Sequence, residues 1–299
     1  MTPNTTGALG GRPVGRIGYG AMQLAGPGVF GPPRDRDAAI AVLRRAIELG
    51  VDHIDTSQYY GPDVVNELIR EALHPYPESL RLVTKVGARR DDRGGWLPAQ
   101  RPHELKQGVA DNLRTLDVDR IDMVNLRLLP GHEDVPLAEQ LGALEDLRRE
   151  GKVDLIGLSN VSREQTERAL ELVDVASVQN AFSVLDRSSE DVLGLCRERD
   201  LAFVPFFPLG SAFSGGPRTL AADPVISAIA GKHGVLATQV ALAWLLHLDE
   251  RILLIPGTSS IGHLEENLAA AEVALDADDM RALDEVEERG DPLEHVPSA

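Results

Sequence analysis

The sequence predicts an α/β protein. Eight parallel strands, each followed by a helix, should close into one (β/α)8 barrel, a TIM barrel, with a hairpin at its N-terminus. Three observations carry that expectation. Eight short apolar runs, most of them four to eight residues long and rich in Val, Ile and Leu, recur along the chain, as strands buried on both faces require. Helix-patterned segments separate the runs, and alternating strand and helix is the sequence form of a parallel barrel. Polar, chemistry-bearing residues stand just after the runs, where barrel strands converge on one mouth.

The elements follow in order. Ala8–Arg16 (ALGGRPVGR) is punctuated by Gly and Pro and reads as a hairpin closing the barrel bottom. The strand runs are Ile17–Leu24, Val51–Ile54, Arg81–Thr84, Ile121–Leu126, Val153–Leu158, Val175–Val178, Leu201–Val204 and Ile252–Ile255. Asp37–Leu49 carries apolar residues at helical spacing, with Gly50 where a helix stops. Pro102–Leu116 is the next helix, then Pro136–Glu150 with Gly151 behind it. Ser162–Leu172 opens with Ser162 three residues before Gln165, a capping box. Leu236–His247 and His263–Ala271 are further helices. The unit length varies too much for a solenoid, and no composition break divides the chain, so residues 1–299 read as a single domain. Gly26–Arg34 and Gly87–Arg101 read as long loops after strands, on the face that shapes a substrate site.

Composition narrows the class of function. With 299 residues, 43% hydrophobic and 26% charged, the chain builds one large core. A net charge of −17 repels phosphate backbones, so no nucleic-acid partner is expected. No apolar run approaches the roughly 18–20 residues of a membrane helix, and Met1–Gly11 lacks the basic start and apolar stretch of a secretory signal. Cys196 is the only cysteine, which excludes an internal disulfide and a Cys-rich metal site. It lies in a helical pattern and reads as a small core residue. No His/Asp/Glu set has ligand spacing, so no metal is expected. These features point to the cytoplasm. His53 reads as packed within a strand, His103 as exposed, and Arg89–Arg93 as a solvated loop.

The strand ends hold the chemistry. The second strand runs into Asp55 and Thr-Ser-Gln-Tyr-Tyr-Gly, the third into Lys85, the fourth into Arg127. The fifth ends at Ser159-Asn160, the sixth at Gln179-Asn180, the seventh at Pro205-Phe206-Phe207-Pro208, the eighth at Pro256-Gly257-Thr258. An acid, a phenol and an amine from neighbouring strands have a joint use. A free tyrosine has a pKa of about 10 and is a poor acid at neutral pH. A lysine cation within reach lowers that value, and an aspartate keeps the lysine charged and oriented. The tuned phenol then protonates a carbonyl oxygen.

The strings VDHIDTSQYYG (51–61), LVTK ending at Lys85, GLSN ending at Asn160, VQN at Gln179 and IPGTSSIGHLEENLAA (255–270) resemble, in order and spacing over nearly the whole chain, the aldo-keto reductase superfamily. The resemblance implies an NAD(P)H-dependent oxidoreductase that reduces an aldehyde or ketone by hydride transfer. Tyr60 would be the general acid, Lys85 its tuning cation and Asp55 the support of Lys85. Ser159, Asn160 and Gln179 would hold the nicotinamide carboxamide, and Phe206 would stack on the ring, with Pro208 and Leu209 beside it. Gly257, Thr258, Ser259 and His263 would receive the phosphates at a helix start. Glu266 and Asn267 would contact the adenine.

Two positions depart from the family pattern. Arg127 stands where a His is usual; it donates hydrogen bonds but relays no proton. It orients the carbonyl or an anionic substrate group, or else it is an ion-pair partner of Asp55. Gly257, Thr258 and His263 replace a more cationic clamp for the 2′-phosphate, which leaves NADH open; NADPH is favoured because Thr258, Ser259 and His263 still offer donors. NLR at the fourth strand end and the Gly-Gly-Trp loop resemble the bacterial branch that includes pyridoxal reductases. Met22, Phe30, Tyr59, Trp96 and Phe213 would then flank an aromatic aldehyde such as pyridoxal. Two alternatives remain at this stage: a nucleotide-binding sensor barrel without turnover, and a barrel enzyme of unrelated chemistry.

Overall fold

The computed structural model describes residues 5–129, 134–210 and 215–288. The first two strands, β1 (Thr6–Leu9) and β2 (Arg12–Gly15), form the expected hairpin. Gly10 and Gly11 turn it, both at positive φ (55° and 77°), as a tight two-residue turn demands.

The barrel strands are β3 (Tyr19–Gly20), β4 (His53–Asp55), β5 (Arg81–Arg90), β7 (Ile121–Arg127), β8 (Val153–Ser159), β9 (Val175–Gln179) and β10 (Ala202–Phe203). They pair in parallel in the order β3-β4-β5-β7-β8-β9-β10. The eighth position is filled by residues 252–254, which bridge Phe203 on one side and Ile17 on the other. Gly18 N donates to Leu254 O (2.8 Å) and Leu253 N to Phe203 O (2.9 Å), so the ring closes. Arg16 secures the seam from beneath. Its buried guanidinium donates to the carbonyls of Ile252 (3.0 Å), Leu246 (2.9 Å) and Asp249.

Eleven helices among the described residues wrap the sheet: α1 (Arg36–Glu48), α2 (Val64–Leu73), α3 (Pro102–Leu116), α4 (Leu137–Arg149), α5 (Arg163–Leu170), α6 (Glu190–Arg199), α7 (Pro217–Ala222), α8 (Pro224–His233), α9 (Ala237–Leu248), α10 (Ile261–Ala269) and α11 (Ala277–Asp284). Their apolar faces explain the placement. In α1, residues Ala39, Ile40, Val42, Leu43 and Ala46 are buried, one stripe at helical spacing. The Ser162–Gln165 capping box forms as expected, with Gln165 N donating to Ser162 Oγ (3.1 Å) and Ser162 N to Gln165 Oε1 (2.9 Å). Cys196 lies in the core, and burial pushes its thiol up to about 12. No single helix among the described residues is long and apolar enough to cross a membrane. The bent pair α8–α9 approaches the needed length but turns through 91°, and α9 is largely buried.

Three expectations need correction. The first barrel strand does not run to Leu24. Its ladder stops at Gly20, opposite Asp55, and residues 21–24 curl into a 3₁₀ turn over the rim. Residues 87–101 are not an open loop. β5 continues past the rim to Arg90 and folds back through β6 (Trp96–Ala99) as an antiparallel hairpin. Asp91 stabilises that turn, its carboxylate accepting from the amides of Arg93 (2.8 Å) and Gly95 (2.7 Å). Consequently Arg90 is half-buried rather than solvated. Finally, α2 is a further helix beyond those expected, its apolar residues following directly on the motif around Tyr60.

A buried polar network behind the barrel wall fixes the strands that carry Asp55 and Lys85. Thr56, next to Asp55, donates to Asn66 Oδ1 on α2 (2.8 Å). Thr84, next to Lys85, donates to Asn112 Oδ1 on α3 (2.5 Å). Asn66 Nδ2 joins them, donating to Asn112 Oδ1 (2.9 Å) and Thr115 Oγ1 (3.0 Å). Asn112→Ala strands the Thr84 hydroxyl and part of the Asn66 amide in the dry wall, so it should cost about 2–4 kcal/mol. Urea unfolding measures this, and a loss below about 0.5 kcal/mol, the size of a surface change, would show that the network carries no such load.

Candidate active site

The C-terminal ends of the strands open into a cleft of about 800 Å³. Lys85 and Asp55 lie at its floor, 3% and 4% exposed. Lys85 Nζ donates to Asp55 Oδ1 and to the carbonyl of Thr56 (3.1 Å). The other Asp55 oxygen accepts from Gln179 Nε2 (2.8 Å), reaching across the bore from β9. Both charges of the buried pair are thereby hydrogen-bonded, as buried ions must be.

Tyr60 stands above this pair, with Lys85 Nζ 5.1 Å from its ring centroid. The phenol is not lowered by Lys85 in the way the sequence suggested. Burial raises its pKa above the usual tyrosine range and the Asp55 carboxylate adds to the rise, while Arg127 opposes both. Lys85 is paired with Asp55, and Arg127 is the cation that favours the phenolate. Tyr60 is therefore held firmly protonated at neutral pH.

Arg127 is not an ion-pair partner of Asp55, whose oxygens are taken by Lys85 and Gln179. Its guanidinium donates to Ser159 Oγ (3.3 Å) and lies 5.2 Å from the Phe206 ring centroid, a cation–π distance. Among the described residues it pairs with no carboxylate. Ser159 is fully buried. Asn160, at φ 58°, donates its side-chain amide to Leu128 O (2.8 Å).

Of the residues singled out from sequence, the cleft is lined by Asp55, Tyr60, Lys85, Arg127, Gln179 and Phe206 around its floor. Pro208, Leu209, Gly257, Thr258, Ser259, His263, Met22, Tyr59 and Trp96 also line it. Ser159, Asn160, Phe30, Glu266 and Asn267 are not part of its lining. Phe30 stands behind the wall against Arg90, while Glu266 and Asn267 belong to α10. Phe213 lies outside the described residues. The lining adds residues that the sequence reading missed, among them Gln23, Val29, Arg90 and the 215–217 segment. Arg90 was hidden because its run of charges reads as solvated unless the hairpin is known.

Two features fit a nicotinamide dinucleotide. Gln179 Oε1 is a buried acceptor with no partner among the described residues, free for an amide donor. Helix α10 begins next to Thr258 and Ser259, with its first turn facing the cleft flank where His263 stands, a helix start suited to anionic groups. No group of three His, Cys, Asp or Glu side chains that could hold a metal exists among the described residues.

Comparison with known proteins identifies the family. The chain is 47% identical over 288 residues to pyridoxine 4-dehydrogenase of Escherichia coli, covering 95% of this chain and 98% of that protein. It is 37% identical to an uncharacterized oxidoreductase of Schizosaccharomyces pombe, over 91% of this chain and 86% of the other. Among solved structures, an aldo-keto reductase from Klebsiella pneumoniae in complex with NADPH superposes with a TM-score of 0.79 at 26% identity, covering 95% of each chain. Residues 16–288 match the aldo/keto reductase family, and with this fold and this constellation at the barrel mouth the chain belongs to that family.

Proposed function

We propose that the chain, acting as one barrel unit, uses NADPH to reduce an aromatic aldehyde of the pyridoxal kind to its alcohol, with Tyr60 as the acid. The observation that carries this reading is the buried, fully hydrogen-bonded Asp55–Lys85 pair beneath a protonated Tyr60 in an open cleft. When bound, a dihydronicotinamide supplies the hydride that a carbonyl carbon accepts. Tyr60 gives its proton to the carbonyl oxygen, and the Arg127 guanidinium favours the phenolate left behind. Asp55 keeps Lys85 ionised and in place. Arg127 donates to the substrate oxygen or to an anionic substituent, held in orientation by Ser159 and Phe206.

Gln179 Oε1, Ser159 and Asn160 are the groups that would hold the carboxamide, and Phe206, Pro208 and Leu209 the ring flank. Gly257, Thr258, Ser259 and His263 would meet the phosphates, with Glu266 and Asn267 toward the adenine. NADPH is the preferred form and NADH the alternative, since only His263 and hydroxyl donors stand where a stronger cationic clamp is usual in the family. The aromatic class rests on Tyr59, Trp96 and Met22 lining the cleft and on the likeness to pyridoxine 4-dehydrogenase. The same reading puts the protein in the cytoplasm, consistent with its buried free thiol. The similar proteins above are oxidoreductases, and nothing among them favours a sensor without turnover.

Oxidation of NADPH and NADH against an aldehyde panel containing pyridoxal tests the reading. Tyr60→Phe should lower kcat by about 10²–10⁴, the contribution of a positioned acid, with cofactor affinity kept. Tight cofactor binding without turnover of any carbonyl by the wild type would instead favour the sensor. For Arg127, the permanent charge predicts a kcat/KM that is flat between pH 6 and 8 on its account. Arg127→His should lower kcat/KM by about tenfold or more and add a dependence near pH 6.5, with activity falling as pH rises and the imidazole loses its proton. Kinetics unchanged across that range would remove any special role for the guanidinium.

A further inference from the structure

The two segments that overhang the cleft, 26–34 after β3 and the β5–β6 hairpin, meet at one side chain. Arg90 and Trp96 are directly paired across the hairpin, so their side chains share a face. The Arg90 guanidinium lies 4.2 Å from the Trp96 ring centroid and 5.5 Å from that of Phe30. Its edge is spent on backbone carbonyls. Nε and Nη2 donate to Gly94 O (3.0 and 2.6 Å), Nη2 also to Gly28 O (2.9 Å), and Nη1 to Val29 O (3.0 Å). Among the described residues no carboxylate forms an ion pair with it. This cation is engaged in holding two segments together.

The clamp reaches the reacting centre by two routes. The Val29 carbonyl that Arg90 holds also accepts from Gly61 N (3.1 Å), the residue after Tyr60. Val29 sits at φ 58°, a conformation that a β-branched residue adopts only when its surroundings enforce it. Gly61 is at φ 72°, and a Cβ there would come within 2.8 Å of Gly31 O, so only glycine permits this approach. The second route is aromatic. Trp96 packs edge-to-face on Tyr59 (5.4 Å, 77°), and Tyr59 on Tyr60 (5.4 Å, 87°), both favourable ring geometries. Arg90, Trp96, Tyr59 and Tyr60 all line the cleft.

We propose that Arg90 is a specificity-determining positioning residue: by clamping Gly28, Val29 and Gly94 and stacking on Trp96, it sets the aromatic wall that accepts a planar aromatic carbonyl beside Tyr60. The proposal rests on the carbonyl-reductase reading above. A small aliphatic aldehyde reaches Tyr60 without using the wall, so the two substrate types report separately. Lysine does not replace arginine here, because an ammonium has neither the planar face nor the fork of donors.

The test compares wild type, Arg90→Ala and Arg90→Lys with pyridoxal and with propanal, using NADPH, together with acrylamide quenching of tryptophan fluorescence. Both variants should raise KM for pyridoxal by about tenfold, the scale of a lost ordered contact surface. The KM for propanal and NADPH affinity should stay within about twofold, and any loss of kcat should be equal for the two aldehydes, since Tyr60 serves both. Quenching should rise in both variants as Trp96 loosens, over a constant background from Trp244, which is 1% exposed. Equal KM shifts for the two aldehydes, or full rescue by Arg90→Lys, would overturn the proposal. If the wild type reduces neither aldehyde, the carbonyl-reductase reading fails. The clamp is then judged on quenching alone, where no change in either variant overturns it.

Discussion

Much of this molecule is organised around one buried ion pair. Lys85 and Asp55 are almost wholly removed from water, and removing either partner alone would leave an uncompensated buried charge, a loss on the order of 3–5 kcal/mol. The pair is tolerated because each charge has further partners: the Thr56 carbonyl for the ammonium and the Gln179 amide for the carboxylate. Asp55 ends β4, Lys85 lies on β5 and Gln179 ends β9, so satisfying the pair fixes the relative positions of three strands around the bore. The threonines flanking the pair, Thr56 and Thr84, carry the same constraint outward through Asn66 and Asn112 to α2 and α3. The wall and the site floor are thus parts of one hydrogen-bonded assembly.

Above that floor, the electrostatics of the mouth differ from those of the chain as a whole. A net charge of −17 is unfavourable for any anionic ligand. Within the cleft, however, the one carboxylate of the floor is neutralised by Lys85, while Arg90 and Arg127 contribute cations that pair with rings, hydroxyls and carbonyls rather than acids. The result is a locally positive, partly desolvated cleft in an acidic protein. The same arrangement leaves Tyr60 protonated. Burial and Asp55 act together on its phenol, and Arg127 acts against them.

The sequence revealed the barrel and the floor of the cleft for related reasons. Buried parallel strands are short apolar runs, and a barrel delivers the residues after those runs to one mouth, so reading strand ends amounts to reading a site. Asp55, Tyr60, Lys85, Arg127 and Gln179 were found in that way and lie together at the cleft floor. Helix ends were equally legible where they rest on local chemistry, as at Ser162 with Gln165. Legibility failed where structure depends on distant partners. Residues 21–24 are apolar enough for a strand, yet they lie past the last ladder partner. The hairpin at 87–99 carries a charged, Gly-rich turn whose pairing no local pattern reveals.

The sequence by itself determined the fold class, the order of the strands and which polar groups stand at the rim, because each depends on periodicity and spacing along the chain. Only the tertiary structure decided which charges meet. Lys85 could have lowered the tyrosine's pKa, but burial and the Asp55 carboxylate raise it instead. Arg127 could have paired with Asp55, but Gln179 fills that position from across the bore. Arg90 could have been solvated, but the hairpin turns it between Phe30 and Trp96. Each outcome is set by burial and by competition among groups far apart in sequence. Those quantities exist only once the ring has closed.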